Sequence, residues 1–435
     1  MNFHNSDINK LQGYTLLKGG KVYDPFIGLD EKKDVLLEDG LIVRISKDIK
    51  SSENYNVIDC SNCILTNGFV DIHSHFREPG FEIKETVNSG SIAAFYGGYT
   101  RVCLMPNTSP VIDSPELVKQ LINKNDSLPI YIYPIGAITK GQQGRELSEV
   151  GQMVSAGAIA ISDDGIPVKN SQVFRKAVEY ARKFNVPVIN HAEDDCLVNS
   201  GVMNEGLQSL KLGLAGNPDI AESTMIYRDL SIAEYTSGKI HIPHVTSAKS
   251  VEIIKNFKNR GVDVTAEVTP HHLCLTEDIL KNFNTNAKVA PPIRSLKDKK
   301  VLIDAVKSGY IDCIATDHAP HTIEDKEKDF NHAPCGMIGL ESAFGLVCNT
   351  LLNEKVDIKS IINLFTINPC NVMNINPSVI KVGNEAEINV IDANCKWKFK
   401  ASHIQSKSKN SPIIGMDLLG KVYTTINKGY ILNKK

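Results

Sequence analysis

The chain has 435 residues, a formal net charge of -2, and 42% hydrophobic and 23% charged residues. This is the composition of an ordinary globular enzyme. Without a long basic block, it gives no indication of nucleic-acid or anionic-membrane binding. Residues 1–13 are polar and no apolar run approaches the ~20 residues of a membrane-spanning helix, so we expect a cytoplasmic protein.

Both ends of the chain predict short β-strands separated by Gly and Asp turns. The N-terminal candidates lie at 15–17, 21–23, 35–37 and 41–43, and the C-terminal ones at 387–391, 421–425 and 429–432. Because two strand-rich ends can pair and cover each other's apolar faces, we expect one small antiparallel β-sandwich. Residues 1–65 and 380–435 would build it.

Between the two ends, residues 66–379 alternate between strand and helix patterns. Eight candidate strands lie near 69–72, 100–105, 129–134, 158–162, 186–190, 240–243, 264–268 and 311–316. Amphipathic stretches such as 171–184 and 221–236 separate them. Eight such units predict an α/β fold of the TIM type, a (β/α)8 barrel, which would be the catalytic domain.

Polar side chains follow most of these candidate strands. They are His73 and His75 after the first, Asn107 after the second, Asp163 and Asp164 after the fourth, His191 after the fifth, His244 after the sixth and Asp317 after the eighth. In a TIM barrel these strand ends converge on the active site. Imidazole and carboxylate groups are ligands that suit Zn²⁺, which would activate a water molecule for hydrolysis.

Several neighbours compete for these roles. His241 could bind metal in place of His244, but it precedes the strand end, and we favour His244. His271 and His272 follow the seventh strand and could shape the site without binding metal. The charged segment 321–336 is either an active-site lid, mobile until substrate binds, or a solvated surface loop. His4, His332 and His403 lie outside any cluster, which indicates surface residues.

The chain resembles dihydroorotases of the bacterial class I type, in the amidohydrolase superfamily. The resemblance covers most of the chain and rests on specific motifs. These include Asp-Ile-His-Ser-His-Phe-Arg-Glu-Pro-Gly at 71–80, Met-Pro-Asn-Thr at 105–108, Ser-Asp-Asp-Gly at 162–165, Asn-His-Ala-Glu at 190–193, Thr-Asp-His-Ala-Pro-His at 316–321 and Ser-Lys-Ser-Lys-Asn-Ser-Pro at 406–412.

This resemblance implies an activity and a set of site residues. The activity is reversible zinc-dependent cyclisation of N-carbamoyl-L-aspartate to (S)-dihydroorotate, in pyrimidine biosynthesis. One or two zinc ions per subunit would be bound by His73, His75, Asp164, His191, His244 and Asp317. Asp317 would be the general base and acid. The substrate would contact His75, Arg77, Asn107, His321, Cys335 and Gly336.

The chain departs from the family pattern at two positions that concern substrate affinity. Ala290 stands where the family usually has Asn, and Cys335 where it often has Phe. An allantoinase or hydantoinase is the first alternative, although Arg77 and Asn107 suit a substrate with a carboxylate. An inactive structural partner of aspartate carbamoyltransferase is the second. We expect a homo-oligomer, and the same transcarbamoylase is a candidate partner of an active enzyme.

Overall fold

The computed structural model describes residues 7–434, so His4 and the first six residues of the predicted polar N-terminus lie outside the described residues. The strands in chain order are β1 Ile8–Lys10, β2 Tyr14–Lys18, β3 Lys21–Asp24, β4 Leu29–Lys32, β5 Asp34–Glu38, β6 Leu41–Ser46, β7 Tyr55–Asp59, β8 Ile64–Asn67, β9 Phe69–Ser74, β10 Tyr99–Leu104, β11 Tyr131–Pro134, β12 Ile161–Ser162, β13 Val188–Ile189, β14 Met203–Asn204, β15 Gly216–Asn217, β16 Ile240–Ile242, β17 Val264–Val268, β18 Cys313–Ile314, β19 Ile388–Lys398, β20 Asp417–Asn427 and β21 Tyr430–Asn433.

Helices follow most of the strands in the middle of the chain. They are α1 Val87–Gly97, α2 Pro115–Ile122, α3 Val150–Ser155, α4 Ser171–Ala181, α5 Asp195–Val198, α6 Leu207–Leu212, α7 Asp219–Thr236, α8 Ala248–Asn259, α9 Pro270–Cys274, α10 Leu296–Lys307, α11 Ile323–Lys326, α12 Ala343–Asn353, α13 Ile358–Phe365 and α14 Ile367–Met373. No helix of residues 7–434 is long and apolar enough to cross a membrane.

Local sequence explains where these elements begin and end, as α1 shows. The Thr86 side chain accepts a hydrogen bond from the backbone N–H of Ser89, and the Ser89 hydroxyl accepts one from Thr86 N–H. This capping box satisfies two amides that the first helical turn leaves without partners. Gly98 ends the helix with a φ of 90°, a conformation that glycine adopts without a Cβ clash. The chain then enters β10 directly.

Eight parallel strands form two sheets in the middle of the chain. One sheet has the order β11-β10-β9 and the other β12-β13-β16-β17-β18. Every residue of β9 and β10 is buried, as expected for parallel strands covered on both faces. Backbone hydrogen bonds join the two sheets at both edges. Ser162 N–H donates to Gly136 at 2.8 Å, and Asp317 N–H donates to His73 at 2.9 Å. The carboxyl ends of β9 and β18 are therefore held side by side.

Strands from both ends of the chain share one seven-stranded sheet, with the order β1-β21-β20-β19-β8-β3-β4. A four-stranded sheet, β6-β5-β2-β7, comes from the N-terminal end alone. One apolar core contains residues of both sheets, among them Leu17 and Leu37 with Val390 and Ile426. Strand pairing between the two ends agrees with the sequence prediction. The expectation of a purely antiparallel unit is wrong, because β2 pairs parallel with β7 and β3 parallel with β8.

The predicted strands of the central region are present, but several are shorter than expected. The segments predicted at 158–162 and 186–190 each contribute two ladder residues, those of β12 and β13. Aromatic packing holds the amino-terminal end of β9, which is the end away from His73. The Phe69 ring lies 5.0 Å from the Phe344 ring and 5.2 Å from that of Phe365, centroid to centroid.

Candidate metal centre

All six predicted metal ligands come together at the carboxyl ends of the parallel strands. His75 Nε2 lies 3.0 Å from Asp317 Oδ1 and 3.4 Å from Asp164 Oδ2. His73 Nε2 lies 3.5 Å from Asp164 Oδ1. The other two imidazoles face the same carboxylate oxygen. His191 Nδ1 lies 3.7 Å and His244 Nε2 3.6 Å from Asp164 Oδ1. Asp164 is therefore the centre of the cluster.

The structure distinguishes the two adjacent aspartates of the Ser-Asp-Asp-Gly motif. Asp163 turns away from the imidazoles and accepts hydrogen bonds from the backbone N–H groups of Ile138 and Thr139, at 2.8 and 3.1 Å. It therefore holds the loop after β11 in place. Asp164 alone of the pair faces the histidines, as the sequence analysis chose.

Each of three imidazoles is oriented by a partner behind it. His73 Nδ1 lies 2.7 Å from Glu267 Oε1. His75 Nδ1 lies 2.8 Å from Asn107 Oδ1. His191 Nε2 lies 3.1 Å from Glu193 Oε2. Because each partner is an acceptor, it takes the N–H of the ring nitrogen that faces it, and the other nitrogen is the one that a metal would bind after displacing its proton.

Attraction between carboxylates and imidazoles shifts the pKa values within the cluster. Burial alone would raise the pKa of Asp164, but His73, His191 and His244 lower it well below its usual value. The pKa of Asp317 is likewise lowered against the effect of burial, through His75 and His73. Burial would lower the pKa of His191, yet Asp164 and Glu193 raise it to about 10. Both carboxylates are thus ionised at neutral pH.

The donor set fits a zinc ion. His73, His75 and Asp317 each offer a ligand atom within 4.8 Å of the others, and so do His73, Asp164 and His244. Within residues 7–434, His73 Nε2 and Asp164 Oδ1 are buried without a hydrogen-bond partner. Buried polar atoms normally have a hydrogen-bond partner, so two that lack one indicate that a bound ion would be their partner. Imidazole nitrogen and carboxylate oxygen are ligands that zinc binds.

A cavity of about 190 Å³ opens directly over this cluster. Its wall contains His75, Arg77, Asn107, Asp164, Gly165, His191, His244, Ala290, Asp317, Ala319, Cys335 and Gly336. Arg77, His244 and Asp317 have positive φ angles of 62°, 33° and 46°. Such strained backbone in non-glycine residues is concentrated at functional sites, where surrounding contacts hold it.

His321 is the one predicted substrate residue that does not reach the cavity wall. Its Nε2 lies 2.8 Å from the Cys335 carbonyl oxygen, and its Nδ1 lies 3.2 Å from Lys84 Nζ. Burial, with Arg77 and Lys84 nearby, lowers the pKa of His321 to about 3. The ring is therefore neutral, with Nε2–H donating to Cys335 and Nδ1 accepting from Lys84. Arg77 Nη2 lies 3.3 Å from this ring.

Segment 321–336 is packed rather than loosely held, which contradicts the basis of the lid prediction. The run of charged residues in the sequence suggested that the segment has little apolar surface to bury. In fact Phe330 is buried in a small core with Met203, Leu280 and Ala287. Lys326 is buried too, and its ammonium donates to Thr285 O at 3.0 Å and to Pro334 O at 2.7 Å.

Two other histidines, His241 and His272, hold neighbouring groups in place instead of facing the cluster. His241 bonds Thr265 and Glu267 and faces away from the cluster, so the preference for His244 agrees with the geometry. His272 Nε2 lies 2.9 Å from the Pro291 carbonyl oxygen. Sequence reasoning missed Glu267, and it quoted Glu193 without a role. Glu267 is an isolated acid within the apolar strand β17, and that was the available signal for it.

Comparison with known proteins identifies the family of this chain. A family model described as Dihydro-orotase-like matches residues 62–250. The dihydroorotase of Acetivibrio thermocellus is 44% identical over 419 residues, which cover 96% of this chain and 98% of that one. The chain belongs to the dihydroorotase family. A second dihydroorotase, from Ruminiclostridium cellulolyticum, is 45% identical and covers 97% of this chain and 99% of its own.

The fold of this dihydroorotase-family chain also occurs in more distant enzymes. An L-hydantoinase (dihydropyrimidinase) from Arthrobacter aurescens superposes with a TM-score of 0.84 at 23% identity, covering 97% of this chain and 96% of that one. A dihydropyrimidinase from Brevibacillus agri gives a TM-score of 0.82 at 19% identity, with the same coverage. At such low identity, the likeness establishes the common fold and carries no substrate assignment.

Proposed function

We propose that this protein is a zinc-dependent dihydroorotase, which interconverts N-carbamoyl-L-aspartate and (S)-dihydroorotate in pyrimidine biosynthesis. One observation carries the proposal beyond family membership. Arg77 and the imidazole–carboxylate cluster lie on the wall of the same small cavity. A guanidinium suits the carboxylate of this substrate, and the cluster suits a metal that acts on its amide.

We also propose the complete ligand set, His73, His75, Asp164, His191, His244 and Asp317. One or two zinc ions held there would supply a Lewis acid and an activated water. Asp164 takes the central position as a carboxylate of its own side chain, so no carboxylated lysine is needed. Metal-stripped protein should recover activity with Zn²⁺ alone, and a requirement for added bicarbonate would contradict this assignment.

The proton steps are assigned to Asp317. It is ionised at neutral pH and lies at the cavity wall, 3.0 Å from His75. In hydrolysis it would take a proton from the attacking water and deliver it to the ring nitrogen that leaves. In cyclisation the same carboxyl group would act in reverse. Positioned proton transfer of this kind typically contributes about 10²–10⁴-fold.

The substrate carboxylate is assigned to Arg77, Asn107 and His321. Arg77 Nε donates to Pro320 O at 3.2 Å and its Nη2 lies 3.3 Å from His321 Nε2, so these two contacts orient the guanidinium fork that would bind the ligand. Asn107 uses its oxygen on His75, and its amide nitrogen lies 3.4 Å from Asp164 O and Oδ2, long contacts that it would exchange for the substrate carboxylate. His321 would contribute only after exchanging its bond to Cys335. The Cys335–Gly336 backbone would close on the ring.

The test is an assay of the purified protein on dihydroorotate, allantoin and hydantoin, with and without a chelator. We expect activity on dihydroorotate, lost with the chelator and restored by Zn²⁺. Preference for allantoin or hydantoin would establish the alternative of a different cyclic amidase. Ala290, which departs from the family pattern, lies at the cavity wall and is the reason to test these substrates. Inactivity on all three, with zinc bound, would favour a structural partner of aspartate carbamoyltransferase.

We further interpret the eight parallel strands as a closed (β/α)8 barrel over 66–379, with the β-sandwich built by 1–65 and 380–435. The hydrogen bonds at both sheet edges support this interpretation. A homo-oligomer and an association with aspartate carbamoyltransferase remain predictions. Sedimentation of the protein alone and mixed with the transcarbamoylase tests both.

A further inference from the structure

A segment near the C-terminus, residues 404–412, lies against the loops that surround the cavity. Its side chains reach the loop that follows β9. Ser408 Oγ donates to Lys84 O at 2.6 Å, and Lys407 Nζ donates to Glu82 O at 2.6 Å. Ser406 Oγ donates to the buried Glu85 carboxylate. We call residues 404–412 the C-terminal strap. The strap lies between β19 and β20 and therefore joins the seven-stranded sheet to the rim, the loops that surround the cavity.

Asn410 is the residue of the strap with the most contacts to the rim. Its Oδ1 accepts from His321 N–H at 3.0 Å. Its Nδ2 donates to Ala319 O at 3.1 Å and to Gly336 O at 3.2 Å. An amide side chain has two N–H donors and one carbonyl, so every polar group is used. The opposite amide orientation would face N–H against N–H, so the network fixes the orientation.

These three bonds reinforce a direct connection between two loops, in which Ala319 N–H donates to Met337 O at 2.9 Å. Ala319 and Gly336 lie on the cavity wall on different loops. There is no spare room between them, because a Cβ built on Gly336 would lie 2.8 Å from Ala319 Cβ. The third partner, His321, lies beside Arg77. Asn410 thus acts on the part of the cavity where the substrate carboxylate is expected.

We propose that Asn410 is a positioning residue for substrate binding. Its side chain does not line the cavity, and its hydrogen bonds go to residues other than the proposed metal ligands. Together with the backbone bond from Ala319 to Met337, Asn410 fixes the separation of the Ala319 and Gly336 backbones, and through them the fit around the substrate ring and carboxylate. The proposal rests on the proposed function for the identity of the substrate, but the loop geometry that it assigns to Asn410 does not depend on that identity.

A matched control distinguishes this role from general stabilisation. Asn427 is also a buried asparagine whose Nδ2 faces two carbonyls, Pro129 O at 2.9 Å and Thr100 O at 3.5 Å. It lies at the amino-terminal side of β10, at the other end of the strands from the metal cluster. Replacing either asparagine with Asp keeps the shape and removes two N–H donations.

The experiment compares Asn410→Asp with Asn427→Asp, using the zinc-loaded full chain. Because the loss of both N–H donations lets the two loops shift, we expect a rise of roughly tenfold in KM for dihydroorotate in Asn410→Asp. We expect kcat within about threefold of wild type and an unchanged zinc content, because no ligand or proton-transfer group moves. Asn427→Asp should lower Tm but leave KM within about twofold.

Asn410→Ala is the second variant, which decides the matter if the new carboxylate prevents folding. Hydrogen exchange at 319–321 and 335–338 is measured in parallel, and it should accelerate in the Asn410 variants only. A wild type without dihydroorotate activity would refute the proposed function, while the exchange data would still test the positioning role. Unchanged KM and exchange in the Asn410 variants, or equal changes in Asn427→Asp, would overturn the proposal.

Discussion

Residues behind the imidazoles decide which nitrogen faces the metal, and Glu267 is the most constrained of them. It serves both His73 and His241 and also accepts from His244 N–H at 3.3 Å. Glu267→Gln would turn an N–H₂ toward one of these rings. Loss of such a partner typically weakens metal binding about 10–100-fold.

We therefore expect Glu267→Gln to lose zinc to a competing chelator at correspondingly lower chelator concentrations. The control is Asp34→Asn, a buried acid in the sandwich that accepts from Gly19 and Ile49 N–H groups. It should keep wild-type zinc affinity. Equal zinc retention by wild type and Glu267→Gln would show that Glu267 does not orient His73.

The role of Asp317 leads to a second prediction. Asp317→Asn should fold and keep zinc, because the amide oxygen can still coordinate, but it cannot carry a proton. We expect turnover to fall at least ~100-fold in both ring opening and ring closure. Steady-state rates in the two directions and metal analysis test this. Near-normal rates with zinc bound would assign the proton transfer to another group.

Arg77 separates the proposed substrate from uncharged cyclic ureides. Charge-assisted hydrogen bonds contribute about 1.5–3 kcal/mol each, and losing the fork would also misplace the scissile bond. Arg77→Ala should lower kcat/KM for dihydroorotate at least ~100-fold, about 2.7 kcal/mol, with zinc unchanged. Arg77→Lys keeps the charge without the fork and should also be impaired. Retained activity in both variants would remove Arg77 from the substrate site.

At this scale the sequence predicted the residues that end strands and missed those that support them. His73, His75 and Asp317 stand in motifs that a reader can find along the chain. Glu267 lies 194 residues from His73, and Asn410 lies 89 from His321. No local periodicity connects such distant positions. Only the folded chain shows that Asn410 holds the rim.

Among the elements, segment 321–336 carries a buried lysine, Lys326, from which we expect a pH-dependent contribution to stability. Burial lowers the pKa of Lys326 to about 7, from an ordinary value near 10.5. Between these values the unfolded chain holds a proton that the folded chain has released, so the stability of the fold rises with pH in that window. The slope for one proton is at most about 1.4 kcal/mol per pH unit.

The test compares Tm of wild type and Lys326→Met at pH 7.0, 8.0 and 9.0. Met keeps most of the side-chain volume without a titrating group. The wild type should gain Tm relative to the variant as the pH rises. A difference that does not change with pH would mean that Lys326 stays protonated, held by its carbonyl acceptors.

Element positions were predictable where burial pattern alone defines them. β9 and β17 occur where the sequence placed them, because apolar runs bounded by polar residues identify strands. Pairing partners were not predictable. The pattern of β2 does not reveal that β7, about 40 residues later, lies parallel to it. Packing of segment 321–336 was missed because Phe330 finds its core in a loop around Met203.

At the scale of the molecule, one buried ion pair connects the central parallel strands to the seven-stranded sheet that contains β19. Arg101, on β10, donates through Nε and Nη2 to the two oxygens of Glu387, each at 2.8 Å. The same carboxylate accepts from Thr100 Oγ1 at 2.6 Å and from Ser378 N–H at 3.0 Å. Glu387 therefore has partners from two segments of the chain, β10 and the loop around Ser378.

Glu387→Gln would leave the Arg101 guanidinium buried without its counter-charge. Removing one partner of a buried pair typically destabilises a protein by about 3–5 kcal/mol. We expect a lower Tm by calorimetry and a transition that separates into two, because the seven-stranded sheet loses its main polar connection. Zinc content at low temperature should be unchanged. A single transition at the wild-type Tm would show that the other contacts between the two parts, such as the bond from Asn427 to Pro129 O, hold them together without this ion pair.

The order of the ligands along the chain has a consequence for the cell's protein synthesis. His75 and Asp317 are 242 residues apart in sequence and 3.0 Å apart in the fold. At translation rates of about 5–20 residues per second, roughly 12–50 s separate the emergence of the first pair of histidines from that of the last ligand. The strap that carries Asn410 follows later still. A ribosome that stalls in that interval exposes two of the proposed metal ligands on an incomplete protein, so metal incorporation at the proposed site has to wait until Asp317 has been synthesised.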